Sequence, residues 1–122
     1  MRRVIIESPY AGNTELHEAF GRACLRDSLS RGEAPLASHL LYTQPGVLVD
    51  ADPAERRLGI EAGLAWGEAA DATVVYMNYG VSPGMQKGIE RARSEARPVE
   101  FRFLNERPVR SPPTPVRFTF GV

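Results

Sequence analysis

Cysteine, histidine, lysine and tryptophan are all scarce in this chain of 122 residues, which carries one cysteine (Cys24), two histidines (His17 and His39), one lysine and one tryptophan. A single cysteine closes no internal disulfide, and with two histidines it falls short of the four ligands of a structural zinc module. A disulfide scaffold and a zinc module are excluded, and neither a metal nor an organic cofactor is expected. Net charge is absent too: 15 Lys and Arg balance 15 Asp and Glu. No basic field draws the molecule onto nucleic acid or anionic lipid, so general nucleic-acid binding is not expected. The apolar run near the start, Val4 to Ile6, is far shorter than a signal-peptide core or a membrane span. No membrane partner is therefore expected, and the expected location is cytoplasmic. What remains is 43% hydrophobic residues with 11 Gly and 10 Pro, the composition and size of one ordinary domain.

Hydrophobic patterning divides the chain into alternating strands and helices. Val4-Ile5-Ile6 is a β-branched run ending in the turn-rich segment Glu7 to Asn13, which reads as a buried first strand. From Asn13 or Thr14, apolar residues at Leu16, Ala19, Phe20, Ala23 and Cys24 follow helical spacing, with Gly32 as a C-terminal stop. Ala34 to Ser38 predicts a short second strand. Asp52-Pro53-Ala54-Glu55 combines an acidic cap, Pro at the first helical position and a following Glu, predicting a helix to about Ala70. Ala72 to Met77 predicts a central strand, Met85 to Ala96 a third helix, and Val99, Phe101 and Phe103 a fourth strand. This order calls for a mainly parallel sheet with right-handed crossovers and helices on both faces. Residues 1–104 form the expected α/β domain. Residues 105–122 are a Pro-rich tail whose Arg117 to Phe120 alternates like an edge strand.

In an open parallel sheet, ligands bind beyond the carboxyl ends of the strands, where helix N-termini also point. The segments there are Glu7 to Asn13, Ser38 to Tyr42 and Asn78 to Gln86. Ser8, Tyr10, Gly12, Asn13, His39, Asn78, Ser82, Gly84, Met85 and Gln86 are the candidate ligand-binding residues. Gly, Ser and Asn suit a phosphate or a ribose hydroxyl here, though turns that precede helices also use them for conformational reasons. His39 reads as a hydrogen-bonding group for a ligand or as a partly buried structural histidine. His17 reads as solvated or capping, and Cys24 as core. Tyr10, Tyr42, Tyr76 and Tyr79 offer stacking surfaces, Tyr10 and Tyr42 from loops beside the crevice.

Gly59, Gly63 and Gly67 recur every four residues along the second helix, and each is unfavourable there by about 1 kcal/mol relative to Ala. Such a stripe permits close approach of another backbone. A dimer-related helix, an adjacent strand or tight packing on the chain's own sheet each fits, and a homodimer is expected.

Four segments in order, Ile6 to Gly12, Pro35 to His39, Trp66 to Asp71 and Ser82-Pro83-Gly84-Met85, resemble the nucleoside 2-deoxyribosyltransferase-like superfamily, most nearly its small bacteriophage versions, over roughly residues 4–104. The resemblance implies a Rossmann-like three-layer α/β sandwich, a homodimer, the host cytoplasm as location for a phage protein, and a nucleoside or nucleotide as ligand. It also implies cleavage or exchange of an N-glycosidic bond, which needs a carboxylate nucleophile and a second acidic group. Matching Ser82 and Gly84 to the last motif puts Gly88 at the nucleophile's position, and matching Trp66 and Asp71 puts Gly63 at that of a helix Asp. Glu90 is displaced by about 200° around its helix from position 88. Glu7, ending a buried strand, is then the candidate catalytic carboxylate. Gly63 and Gly88 favour a noncatalytic protein that senses or sequesters a nucleotide; the alternative is an N-glycosidase or deoxyribosyltransferase acting on deoxynucleosides or their monophosphates.

Overall fold

The computed structural model describes residues 1–104. The tail from Asn105, and the edge strand expected within it, lie outside the described residues. Four strands, β1 (Arg2–Glu7), β2 (Glu33–Leu36), β3 (Ala72–Tyr76) and β4 (Val99–Arg102), form one parallel sheet in the order β2-β1-β3-β4. The connections carry α1 (Thr14–Ser30), the single turn α2 (Ser38–Leu41), α3 (Pro53–Gly67) and α4 (Pro83–Ser94). This is an α/β Rossmann-like fold with helices on both sides of the sheet. The order in which strands are added reverses between β1 and β3, which lie side by side and parallel with Glu7 opposite Val75.

The alternation of the two central strands separates two cores. Val4, Ile6, Val74 and Tyr76 meet Phe20 and Cys24 of α1 on one face, while Val75 meets Met85 and Ile89 of α4 on the other. β3 is buried at every position, as a strand covered on both faces must be. Asp52 caps α3 as its sequence predicts, accepting from the backbone N–H groups of Ala54 and Glu55. Gly32 follows α1 with a φ of 79°, the left-handed geometry that ends a helix.

Three sequence expectations need correction. β2 closes at Leu36, so Ser38 opens α2 instead of ending a strand. α3 ends at Gly67, three residues before Ala70. The buried face of α1 is Phe20, Gly21, Cys24 and Ser28, whereas Leu16, Ala19 and Ala23 are exposed. Apolar periodicity misses this face because two of its members are small or polar. Gly21 admits the Leu40 side chain, and the Ser28 hydroxyl donates to Glu33 Oε1 at 2.8 Å.

An ionic cluster ties β2, β1, β3 and β4 together. Arg102 Nη2 donates to Glu33 Oε2 at 2.6 Å and to Glu100 at 3.0 Å, Arg2 joins both carboxylates, and the Tyr76 hydroxyl donates to Asp27 at 2.7 Å. The Glu33 and Arg102 side chains are only 8% and 11% exposed, so each charge depends on the other. Hydrogen bonding from Arg102, above all, pulls the Glu33 carboxyl down to about 2. A folded-state value below the ordinary 4.5 gives stability that is present above pH 4.5 and lost as pH falls toward 2. Glu33→Gln is expected to lower stability by about 3 kcal/mol at pH 7, with the deficit shrinking below pH 4. Urea unfolding of both proteins at pH 7 and pH 3 checks it.

Candidate functional site

Ile5 and Glu7 of β1 and Thr73 and Val75 of β3 share the sheet face turned toward α3 and α4, since alternate residues point the same way. Between that face and the two helices lies a cavity of about 300 Å³, opening at the carboxyl ends of the strands. Glu7, Ser8, Tyr10, His39, Ser82, Gly84 and Met85 line it. Gly12, Asn13, Asn78 and Gln86 do not. Asn13 caps α1 by accepting from Leu16 N, Gln86 is exposed and donates to Glu90, and the Asn78 amide is spent on both backbone groups of Leu104. That amide pins the chain as it leaves β4.

The glycines explain how a cavity fits there. A Cβ at Gly88 would collide with the Glu7 carboxylate, one at Gly63 with the Ser38 hydroxyl, and one at Gly67 would lie 2.9 Å from Arg97 Nη2. Each glycine therefore makes room for a polar side chain of the same chain. The close approach foreseen from the stripe is thus intrachain, and a partner helix is not required to account for it.

Glu7 is partly buried, and no described residue hydrogen-bonds its carboxylate. Among the described residues no buried side-chain polar atom lacks a partner, so the Glu7 oxygens keep accessible surface, and Glu7 lines the cavity. Desolvation raises its pKa to about 8, with the Arg97 charge opposing the shift. The Ser8 hydroxyl and His39 Nε2 share a hydrogen bond of 2.7 Å, and burial pushes His39 down to about 4, leaving the imidazole neutral at pH 7. Tyr10 meets that imidazole edge-on, with ring centroids 6.4 Å apart. Ser82 spends its hydroxyl on Met85 N as the cap of α4. At the rim, Asp50 is paired with Arg56 at 3.5 Å, and exposed Lys87 lies on α4.

Arg97 escaped the sequence reading, and Ser38 entered it only as the first residue of the Ser38 to Tyr42 segment. The α4 C-terminus closes with Arg97 N donating to Ala92 O at 2.8 Å and Ala96 in a left-handed conformation, φ 54°. This closure turns Arg97 inward. Its Nε donates to Thr73 Oγ1 at 3.0 Å and its Nη1 to Gly67 O at 2.6 Å. A lone arginine after a helix gives no periodic signal; the only trace was the Gly stripe that it packs against.

A family described as a domain of unknown function (DUF7768) matches residues 2–102. The chain belongs to that family. No curated protein matches the sequence. Among solved structures, this DUF7768 member is similar to a 2-deoxyribosyltransferase from Bacillus psychrosaccharolyticus, at 18% identity and a TM-score of 0.59, over 83% of this chain and 72% of that one. It is similar also to a 2-desoxiribosyltransferase from Leishmania mexicana, at 14% identity and a TM-score of 0.54, over 84% of this chain and 65% of that one. The chain thus spans a little under two thirds of the Leishmania protein. At these identities the likeness establishes the 2-deoxyribosyltransferase-like fold. No helix among the described residues is long and apolar enough to cross a membrane.

Two measurements test this geometry. Gly88→Ala is expected to destabilise the fold by about 1–3 kcal/mol because overpacking displaces a carboxyl group, and Glu7→Ala in the same chain should relieve most of that loss. A double-mutant cycle in urea reads the coupling; simple additivity would contradict the contact. For Glu7 itself, a folded-state pKa above 4.5 means that ionisation opposes folding, with a penalty that grows from pH 4.5 and is complete above pH 8. Glu7→Gln should therefore raise the Tm by several degrees at pH 8.5 and leave it nearly unchanged at pH 4.5.

Proposed function

We propose that the cavity binds a nucleoside or nucleotide and that Glu7 stands at its glycosidic bond. The observation that carries this reading is the unpartnered Glu7 carboxyl, held inside the cavity by a glycine opposite it. A desolvated carboxyl left without a hydrogen bond from the protein is a standing liability to the fold, the kind of group that functional sites retain. The likeness to 2-deoxyribosyltransferases supports the ligand class. Under that resemblance, position 88 belongs to a nucleophilic carboxylate, and here the Glu7 carboxylate occupies the space that a side chain at 88 would take.

The chemistry that follows is N-glycosidic bond cleavage. Near neutral pH Glu7 is held mainly protonated and donates its proton to the leaving base as the C1′–N bond breaks, the bonding pair departing with the base. A water or an acceptor hydroxyl then bonds C1′ and gives up its proton to the Glu7 carboxylate, which restores the acid, so that hydrolysis yields free base and sugar. Ser8 and neutral His39 hold the sugar at the mouth. A second reading, sequestration without turnover, is favoured by Gly63, whose space is filled by the Ser38 hydroxyl instead of a second acid. Asp50 at the rim is already paired with Arg56.

Incubation with a panel of deoxynucleosides and monophosphates, scored by free base and by thermal shift, separates the two. Turnover lost by at least a hundredfold in Glu7→Gln with binding retained supports catalysis, and a wild-type thermal shift without base release supports sequestration. An acid role predicts a rate falling about tenfold per pH unit above pH 8; a rate rising through pH 8 would make Glu7 the nucleophile. A panel that neither shifts nor reacts defeats the proposal.

A further inference from the structure

The Arg97 side chain is 6% exposed, yet it lines the cavity. Two of its three nitrogens are fixed: Nε on Thr73 Oγ1, and Nη1 on Gly67 O and Glu95 Oε1. Nη2 has no acceptor among the described residues, and it is not sealed off from the cavity. This is an immobilised guanidinium with one donating edge left over, built into the buried end of the cavity.

Strand register sets the depth. Thr73, which holds Arg97, lies opposite Ile5, and Val75 lies opposite Glu7. Arg97 therefore sits two strand residues deeper than Glu7, about 6–7 Å along the sheet, roughly the reach across one nucleobase. The apolar residues lining the cavity include Ile5 from the sheet and Ile60 and Leu64 from α3, with the Ser38 hydroxyl near them at Gly63. Apolar walls suit a flat ring and not a sugar, whose hydroxyls would each need a partner. A phosphate is also a poor occupant at that depth, since it would share a small space with the Glu7 carboxyl. Phosphate and sugar belong at the mouth, near Lys87, Ser8 and His39.

We infer that Arg97 reads the base: Nη2 donates to an exocyclic oxo group on the edge far from the glycosidic bond, so the site takes 6-oxopurine and 4-oxopyrimidine nucleosides over their amino counterparts. Arginine has five donors and no acceptor, so an amino group at the same place meets donor with donor. An oxo group gains a charge-assisted hydrogen bond and satisfies Nη2 in a dry setting. The inference rests on the nucleoside reading of the cavity and adds to it the class of base.

Isothermal titration of the wild-type chain with deoxyinosine, deoxyadenosine, deoxyuridine and deoxycytidine tests it. The oxo member of each pair is expected to bind about tenfold or more tightly. Purine 2′-deoxyriboside, which lacks any group at that carbon, should bind more weakly than deoxyinosine by a similar factor. Arg97→Met should collapse these ratios toward one; if that variant does not fold, the wild-type comparison of deoxyinosine with purine 2′-deoxyriboside decides alone. Nucleosides that bind without discrimination, or with the amino member preferred, overturn the role of Arg97 and leave the nucleoside site standing. Failure of all five and of their 5′-monophosphates to bind overturns both.

Discussion

Everything distinctive about this cavity depends on one steric relation, the Glu7 carboxylate lodged where a side chain at position 88 would be. A strand end points a carboxyl at a helix, and the helix answers with a glycine. The same relation recurs with Ser38 against Gly63 and Arg97 against Gly67. Three polar side chains thus project between the sheet and its helices, where apolar contacts would ordinarily fill the layer. Each helix glycine is unfavourable by about 1 kcal/mol, and a desolvated carboxyl adds to that. The fold tolerates these terms because β3 is fully buried and the opposite face is packed by Phe20 and Cys24.

The two faces of the sheet treat charge in opposite ways. Toward α1, Glu33, Arg102, Arg2 and Glu100 neutralise one another within a few ångströms, and the Tyr76 hydroxyl is held by Asp27. Toward α3 and α4, Glu7 and Arg97 face the same cavity without an ion pair between them, each keeping hydrogen-bonding capacity unused. Satisfied charge on one side locks four strands in register. Unsatisfied charge on the other leaves a polarised slot, and a ligand that completes both ends would be held by groups that need no rearrangement.

Sequence revealed the architecture well, because strands alternating with helices admit few topologies and the cap Asp52 is a local signal. It also pointed to the carboxyl ends of the strands, and to Glu7 as the acid at the end of β1. It was blind to partners distant in the chain. Asn78 looked like a ligand group from its loop position, yet its amide closes on Leu104, 26 residues away. Arg97 carried no signal of its own, since its placement comes from the closure of α4 and from a glycine 30 residues earlier. The stripe of Gly59, Gly63 and Gly67 said that something comes close to α3; only the tertiary structure says that it is Arg97 and Ser38.

Glycine at positions 63 and 88 reads from sequence as the loss of two acids, and in three dimensions it reads as the complement of two side chains gained. The difference bears on how such a site could change. With Glu7 in place, a glutamate at 88 would meet a carboxylate at van der Waals distance or less, adding overpacking to charge repulsion in a low dielectric. With position 88 filled by any side chain, Glu7 would have to leave. The two positions are therefore coupled, and a carboxyl group can occupy this volume from the strand or from the helix but not from both. An acid delivered from β1 approaches the cavity along the sheet, close to the Thr73 that anchors Arg97. An acid delivered from α4 would reach it from across the groove. With the acid on the strand, the carboxyl and the guanidinium share one rigid face, and strand register fixes the separation between them.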